Sequence, residues 1–338
     1  MNIVILDDYQ DAVRKLHCAV RLDPYSAKVY TNNVKGLGQL SVRLRDADII
    51  VLIRDRTQIN RQLVDKLPRL KLIAQTGRVG AHVDIAACTE RGIAVAEGVS
   101  SPVAPAELTW ALIMAAMRRL PQYISNLKHG AWQQSGMRSA SMPSNFGLGM
   151  VLRGKTLGVI GMGRIGSGVA KRAMAFDMDI IAYDPYINEE RAKALGVTVG
   201  TLDDVITKSD FITVHMPLTP DTKGMIGMAQ MKKMKKGVRL VNCARGGIIA
   251  EEDLAEAVKQ GIVAGAAIDV YTSEPVGLDH PLVGVPGIVL TPHLGASTVE
   301  AQIGVSLDVS KGILAALKGE PVATAVNMAP VSPQVMKV

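Results

Sequence analysis

The chain has 338 residues, of which 48% are hydrophobic and 20% charged. This length favours two domains of ordinary size, and the hydrophobic content supports packed cores and excludes a disordered chain. The net charge of +7 would suit nucleic-acid binding, but the basic residues are spread along the chain and only 4% of residues are aromatic. We therefore expect no nucleic-acid partner, and a basic surface that attracts small anions.

Three further features indicate the cellular compartment of the protein. No apolar run approaches the roughly twenty residues that cross a bilayer. The N-terminal segment MNIVILDDY lacks the basic flank and long apolar stretch of a secretory signal. Cys18, Cys88 and Cys243 are widely spaced and follow no metal-ligand pattern, so reduced structural thiols are expected. These features predict a cytoplasmic protein without a membrane contact or a bound metal.

The first hundred residues alternate short β-branched runs with helical patterns. Strands are predicted at 2–6, 27–31, 48–53, 71–76 and 92–97, and a helix over 59–67. Apolar strands separated by helices are typical of a parallel sheet covered on both faces.

Residues 104–121 (APAELTWALIMAAMRRLP) are apolar almost all round the helical period. They predict one long helix, ended by Pro121, that is buried in a core or against another subunit. Residues 129–150 are rich in Ser, Gly and Met and have no period, so a long loop is expected there. We interpret Trp132 in this loop as a candidate wall of a ligand pocket.

A second alternating series follows the loop. Strands are predicted at 156–160, 180–183, 211–215, 238–243, 266–270 and 288–291, and an amphipathic helix over 297–318. Strands in this number, with helices between them, suit a complete doubly wound sheet.

The sequence GMGRIG places Gly161, Gly163 and Gly166 in the G-x-G-x-x-G spacing, between a strand and a helix that starts near Arg164. This spacing suits a tight turn, close approach of the backbone to a pyrophosphate and close helix–strand packing. The helix N-terminus would face the phosphates. Asp184 ends the next strand, where a carboxylate accepts both ribose hydroxyls and repels a 2′-phosphate. The pattern predicts NAD rather than NADP.

The stretch RLVNCARGG ends a predicted strand and places Arg245 between Ala244 and two glycines. An arginine in a solvated loop is one interpretation. The other is that small neighbours leave room for an anion, since a guanidinium binds a carboxylate bidentately. The residues of this stretch alone leave both interpretations open.

Four ordered motifs decide between them: the glycine loop, NCARGG, AIDVYTSEP with Asp269 and Glu274, and TPHLGAST with His293. Together they resemble the D-isomer-specific 2-hydroxyacid dehydrogenases, over nearly the whole chain. The resemblance implies an α/β fold of two Rossmann-like doubly wound parallel-sheet domains. The NAD-binding domain (105–296) would be inserted in a discontinuous, flavodoxin-like substrate domain (1–104 and 297–338). It also implies a homodimer, with the helix at 104–121 in the interface.

The same resemblance implies an NAD-dependent oxidoreductase that interconverts a small D-2-hydroxy acid and its 2-keto acid. Arg245 would bind the substrate carboxylate and carbonyl. An imidazole titrates near neutrality, so His293 would exchange the proton, with Glu274 holding its other ring nitrogen and favouring the charged ring. Asp269 would meet the nicotinamide carboxamide.

The resemblance also implies further ligand contacts, at positions that match the family's binding residues. The pyrophosphate would lie against Met162, Gly163, Arg164 and Ile165. Other implied cofactor contacts are Pro185, His215, Met216, Pro217, Thr222, Cys243, Ala244 and Gly295. Backbone N–H groups of Gly77, Arg78, Val79 and Gly80 would bind the substrate carboxylate.

Departures from the family pattern bear on the substrate. Gln75 stands where phosphoglycerate-oxidising relatives carry an arginine, Val79 replaces a usual glycine, and we expect no regulatory domain after residue 338. These departures argue against 3-phosphoglycerate. Arg54, Arg56 or Arg78 could nevertheless supply a phosphate contact.

Two alternative functions remain at this point. A formate dehydrogenase shares the fold, but its analogous site carries a glutamine in place of the Glu274 carboxylate. An NAD-sensing interaction protein could use the same fold without turnover. The intact set of Arg245, Glu274 and His293 favours the enzyme, because a sensor has no physical need for it.

Overall fold

A computed structural model of the chain describes residues 1–15, 25–98, 101–130, 132 and 147–327. The chain divides into two compact units. The first combines Met1–Ser101 with the segment from Ala296 onward, and the second is Pro102–Gly295. Each unit contains a fully parallel sheet with helical connections, so the predicted α/β class is confirmed.

The elements within the described residues follow in chain order. The strands are β1 (Asn2–Leu6), β2 (Ser26–Val29), β3 (Ile49–Leu52), β4 (Leu72–Gln75), β5 (Ala94–Ala96), β6 (Thr156–Ile160), β7 (Asp179–Tyr183), β8 (Thr198–Val199), β9 (Phe211–Val214), β10 (Arg239–Asn242), β11 (Gly265–Ile268) and β12 (Ile288–Leu290). The helices are α1 (Leu37–Leu44), α2 (Arg61–Val64), α3 (Ile85–Glu90), α4 (Val103–Arg118), α5 (Leu120–Lys128), α6 (Arg164–Met174), α7 (Glu189–Ala194), α8 (Leu202–Lys208), α9 (Met228–Met231), α10 (Glu251–Lys259) and α11 (Val299–Lys318).

The first unit has the strand order β2-β1-β3-β4-β5, which is the flavodoxin-like order. Its central strands are apolar on both faces, and every residue of β3 and β4 is buried. Burial on both faces explains why these strands read as continuous hydrophobic runs. The order reverses between β1 and β3, so the carboxyl ends of these strands border a crevice.

The second unit has the order β12-β11-β10-β9-β6-β7-β8 and reverses between β6 and β9. Every strand predicted from the sequence is present, with ends within two residues of the prediction. Strand β8 was missed, because it has only two residues and both are exposed. Hydrophobic clusters lie on both faces of this sheet, around Leu240 on one face and Val159 on the other.

The prediction of a single helix over 104–121 is wrong. The helix breaks at Arg119, whose φ of 52° is left-handed, and α5 begins at the next residue. Pro121 does not end a helix but lies in the first turn of α5. Proline is tolerated there because the first helical N–H groups have no intrahelical partner.

Some predictions fall outside the described residues. Cys18 and most of the predicted 129–150 loop are among them, although Trp132 is described and its side chain is 67% exposed. Cys88 and Cys243 are buried free thiols. Across the described ranges, no helix combines the length and apolarity of a membrane span, and no three His, Cys, Asp or Glu side chains gather as a metal ion would require.

Candidate active site

The glycine loop lies between β6 and α6 and allows its backbone to pack closely. Gly161 has a φ of 97°, and a Cβ there would lie 2.9 Å from the carbonyl of His215. A Cβ on Gly166 would lie 2.1 Å from the carbonyl oxygen of Gly161. Gly163 precedes α6, and a Cβ on it would have no atom within 4 Å. The loop therefore leaves open space in front of the helix N-terminus, as a bound pyrophosphate requires.

Asp184 follows β7 and is tied to this loop. Its Oδ2 accepts the backbone N–H of Met162 at 2.8 Å, and its Oδ1 accepts that of Tyr186 at 2.9 Å. Both carboxylate oxygens are therefore oriented by backbone groups, which fixes the carboxylate beside the glycine loop.

A cavity of about 510 Å³ opens at this edge of the sheet. Its volume lies in the range of small-molecule and cofactor sites. The predicted cofactor residues that line it are Gly161, Met162, Gly163, Asp184, Pro185, His215, Met216, Pro217 and Thr222. The other lining residues were not predicted from the sequence; they are Ser167, Tyr186, Ile187, Asn188, Arg191, Ala192, Thr219 and Asp221. Most of these belong to α7 and the loops around it, where no motif marks a ligand contact.

His215 lies at the end of β9 in the cavity wall. Its Nε2 is 2.9 Å from Oγ1 of Thr213, and burial lowers its pKa to about 4. The ring is therefore neutral near physiological pH and offers a polar but uncharged surface to a ligand.

The remaining predicted cofactor residues do not line this cavity. Arg164, Ile165 and Gly166 form the first turn of α6, while Cys243 and Ala244 follow β10. Asp269 follows β11, and Gly295 ends the second unit.

Asp269 is fully buried and holds the loop that carries His293. Its Oδ1 accepts the Thr291 hydroxyl and the Leu294 N–H, both at 2.7 Å, and its Oδ2 accepts the Gly295 N–H at 2.9 Å. Burial raises the pKa of this carboxyl. These bonds were not foreseen, and they give Asp269 a structural contact with the loop beyond its predicted contact with nicotinamide.

His293 and Glu274 form a hydrogen-bonded pair. Nδ1 of His293 lies 2.7 Å from Oε2 of Glu274, and the other carboxylate oxygen accepts the N–H of Tyr271 at 3.1 Å. A carboxylate only accepts hydrogen bonds, so the proton on Nδ1 faces Glu274. The ring nitrogen predicted to exchange a proton with the substrate is therefore Nε2.

Arg245 is exposed at the end of β10, and its backbone is fixed by neighbouring groups. The Asn242 amide donates to the carbonyl of Arg245 at 2.9 Å. A Cβ on Gly246 would lie 1.9 Å from the carbonyl carbon of Tyr271, so this glycine packs directly on the loop that carries Glu274. Arg245 and the His293–Glu274 pair are therefore attached to one common backbone segment.

The predicted substrate loop, Gly77–Gly80, lies in the first unit after β4. The N–H of Val79 donates to Oε1 of Glu97 at 2.8 Å, so a substrate carboxylate would compete with Glu97 for this amide. Gln75 is 1% exposed, and its amide oxygen lies 3.2 Å from Nε2 of His82. Its side chain is thus engaged in the interior, which weakens the argument that its identity decides against a phosphorylated substrate.

Comparison with known families adds the last observation on this site. The model described as "D-isomer specific 2-hydroxyacid dehydrogenase, NAD binding domain" matches residues 110–295, more than half of the chain. The chain belongs to this family. The matched domain is named for NAD binding, so the prediction of NAD as the cofactor is also confirmed.

Individual relatives agree with the family. The D-3-phosphoglycerate dehydrogenase of Archaeoglobus fulgidus is 42% identical over 284 residues, which are 84% of this chain and 52% of the relative. A solved structure from Ralstonia solanacearum has 44% identity and a TM-score of 0.91, with 99% of each chain covered. The D-lactate dehydrogenase of Aquifex aeolicus, solved with NAD and lactic acid, has 28% identity and a TM-score of 0.79, with 96% of this chain and 99% of that chain covered. The chain spans about half the length of the curated relatives it matches.

Proposed function

We propose that this protein is an NAD-dependent dehydrogenase that interconverts a small D-2-hydroxy acid and its 2-keto acid. The observation that carries the proposal is the His293–Glu274 pair at 2.7 Å, attached through the Tyr271 segment to Gly246 and hence to Arg245. A proton donor, a residue that orients it and a guanidinium for an anionic substrate form the constellation that this chemistry requires.

In the reduction of the keto acid, each of three side chains has its own role. Arg245 binds the substrate carboxylate and polarises the adjacent carbonyl, because its charge is permanent and its fork matches two oxygens. His293 gives the Nε2 proton to the carbonyl oxygen, while Glu274 holds the Nδ1 proton and stabilises the charged ring before transfer. Bound NADH supplies the hydride that the carbonyl carbon receives. Oxidation reverses these steps.

The cavity and the glycine loop fit the adenosine and pyrophosphate parts of NAD. Gly163 leaves clearance for the pyrophosphate, and Asp184 stands where the adenosine ribose would lie. A 2′-phosphate at the same place would meet the Asp184 carboxylate, which supports NAD over NADP.

The substrate is proposed to be a small anion, and phosphorylated three-carbon acids belong among the candidates. The relatives that share about 40% identity are named D-3-phosphoglycerate dehydrogenases. In this chain Arg54 follows β3 and Arg78 follows β4, and these strands are neighbours in the first unit. Two guanidinium groups at one edge of a sheet suit a phosphate better than an uncharged substrate tail.

The test is a panel of 2-keto acids with NADH and NADPH side by side, measured by the loss of nicotinamide absorbance. The panel contains glyoxylate, hydroxypyruvate, pyruvate and 3-phosphohydroxypyruvate. We expect turnover with at least one acid, faster with NADH than with NADPH. Tight NADH binding without turnover on any acid would instead support the NAD-sensing alternative.

We further propose a cytoplasmic homodimer. Leu120, Ile124 and Leu127 are 44%, 53% and 58% exposed, and their spacing places them on one face of α5. An apolar face of this kind supports contact with a second copy. Light scattering should give twice the chain mass for the parent protein and the monomer mass for Ile124→Glu.

A further inference from the structure

A second carboxylate–histidine pair lies on the far side of the segment that carries Glu274. Glu251 is 5% exposed, and its Oε2 lies 3.0 Å from Nε2 of His280. The N–H of Leu282 points at Nδ1 of His280 at 3.3 Å, so Nδ1 accepts and the ring proton on Nε2 faces Glu251. The mechanism above gives this pair no role.

The Glu251 carboxylate also binds the Tyr271–Glu274 segment twice. Its Oε1 accepts the backbone N–H of Thr272 at 2.8 Å, and its Oε2 accepts the Thr272 hydroxyl at 2.6 Å. Thr272 lies two residues before Glu274. Three donors, two from Thr272 and one from His280, therefore converge on one buried carboxylate.

The location of Glu251 suits a negative charge. It is the first residue of α10, where the free N–H groups and the positive end of the helix dipole stabilise an anion. A buried carboxylate is costly unless it is fully hydrogen-bonded, so a loop that moved away from Glu251 would leave a poorly satisfied charge. This cost holds the segment in one position.

The held segment reaches both ends of the proposed active site. Tyr271 donates its N–H to Glu274, and Glu274 orients His293. On the other side, the backbone of Tyr271 and Thr272 packs against Gly246, the neighbour of Arg245.

We propose that Glu251 is a positioning residue for the reaction. Bound to Thr272 and His280, it fixes the segment that aligns Glu274 with His293. Glu251 touches neither substrate nor cofactor, and it acts through Glu274. The inference rests on the proposed dehydrogenase activity.

The primary test compares Glu251→Gln with Glu252→Gln, its exposed neighbour on the same helical turn. Glutamine has the size of glutamate, but its NH₂ group faces a donor from Thr272 or His280, so at least one bond is lost. We expect kcat to fall about 10- to 100-fold in Glu251→Gln, the scale of a small misplacement of a catalytic group. The NADH Kd and the Glu252→Gln rates should stay at parent values.

A double variant distinguishes an effect of Glu251 on the position of Glu274 from a general loss of structure. If Glu251 acts through Glu274, then Glu251→Gln/Glu274→Gln should be no slower than Glu274→Gln alone, and both single variants should shift the pH–rate profile in the same direction. Multiplied losses, or a parent-like profile in Glu251→Gln, would overturn the proposal.

Two milder variants, at Thr272, test the proposal even if Glu251→Gln does not fold. Thr272 is exposed, so Thr272→Val removes only the hydroxyl bond to Glu251, and Thr272→Ser keeps it. We expect a several-fold lower kcat in the valine variant and rescue in the serine variant. Equal rates in both would count against the proposal.

Hydrogen exchange keeps this inference separate from the proposed activity. The amides of Tyr271 and Thr272 should exchange faster in Glu251→Gln than in Glu252→Gln. If the parent protein turned over no keto acid, the proposed function would fall, and unchanged exchange would show that Glu251 does not hold the segment.

Discussion

The carboxyl edge of the second unit's sheet has two halves that are built differently. At β6, β7 and β9, the geometry depends on one short glycine turn and on clearance around its backbone. At β10 and β11, it depends on the carboxylates of the buried Asp269 and the partly exposed Glu274, which bind residues further along the chain. Glu274 and His293 are 19 residues apart, and Asp269 and Leu294 are 25 apart.

The difference shows how each half would fail. A glycine turn tolerates no added atoms at its close contacts, so it should fail by steric change. A set of carboxylates tolerates changes of shape better than loss of charge or of an acceptor, because the buried donors would then be left unpaired. Variants in the two halves should therefore separate binding of the nucleotide from the chemical step.

The largest effect is expected in the half at β10 and β11. His293→Asn should lower kcat by about two to four orders of magnitude, because it removes the proposed proton donor to the carbonyl oxygen. Arg245→Ala should cost at least as much in kcat/KM. Steady-state rates on the best keto acid measure both. The NADH Kd should stay within a factor of about two, and near-parent rates in either variant would contradict its assignment.

The steric character of the other half is tested by Gly166→Ala. The new methyl group would lie 2.1 Å from the carbonyl oxygen of Gly161, so we expect a loss of about 3 kcal/mol or more in unfolding free energy and no measurable NADH binding. Urea unfolding and fluorescence titration would detect these changes.

The matched control is Gly163→Ala, whose methyl group meets no atom within 4 Å. It should keep stability within about 1 kcal/mol and weaken only NADH binding. Equal stability losses in the two variants would refute the steric argument.

A moderate effect is expected at Asp184, where the glycine half does use a carboxylate. Asp184→Ala removes the proposed acceptor for the ribose hydroxyls, so the NADH Kd should rise about 10- to 100-fold, the scale of a charged hydrogen bond. The NADPH Kd should fall, because the repulsion of its phosphate is relieved. Isothermal titration with both cofactors measures this ratio, and an unchanged ratio would argue against Asp184 as the selective group.

The smallest effect near neutral pH concerns the charge state of His215, because it develops only as the pH falls. Its folded pKa of about 4 lies below the unfolded value near 6.5, so the unfolded chain binds a proton first as pH falls. The parent should therefore lose about 2–3 kcal/mol of stability between pH 6.5 and 4 that His215→Gln does not lose. Unfolding curves over this pH range test it, with the exposed His129→Gln as control. A parallel loss in the parent and in His215→Gln would exclude this origin.

The sequence by itself determined much of this architecture. Strands buried on both faces require continuous apolar runs, so the described strands other than the exposed, two-residue β8 could be located from the sequence pattern. The glycine loop could be found because its requirements, clearance and a positive φ, fall at a fixed spacing within six residues. Helix α4 could not be bounded in the same way, because the left-handed residue Arg119 carries no local signal.

Only the tertiary structure decided which groups meet across long separations. Three such contacts join residues 18 to 25 positions apart: Asp269 with the Leu294 N–H, Glu97 with the Val79 N–H, and Glu251 with the Thr272 N–H. A carboxylate in a sequence has no preferred partner until the chain folds and water is excluded from around it. The cost of leaving buried donors and charges unpaired then selects those partners, and it depends on three-dimensional packing that no local pattern records.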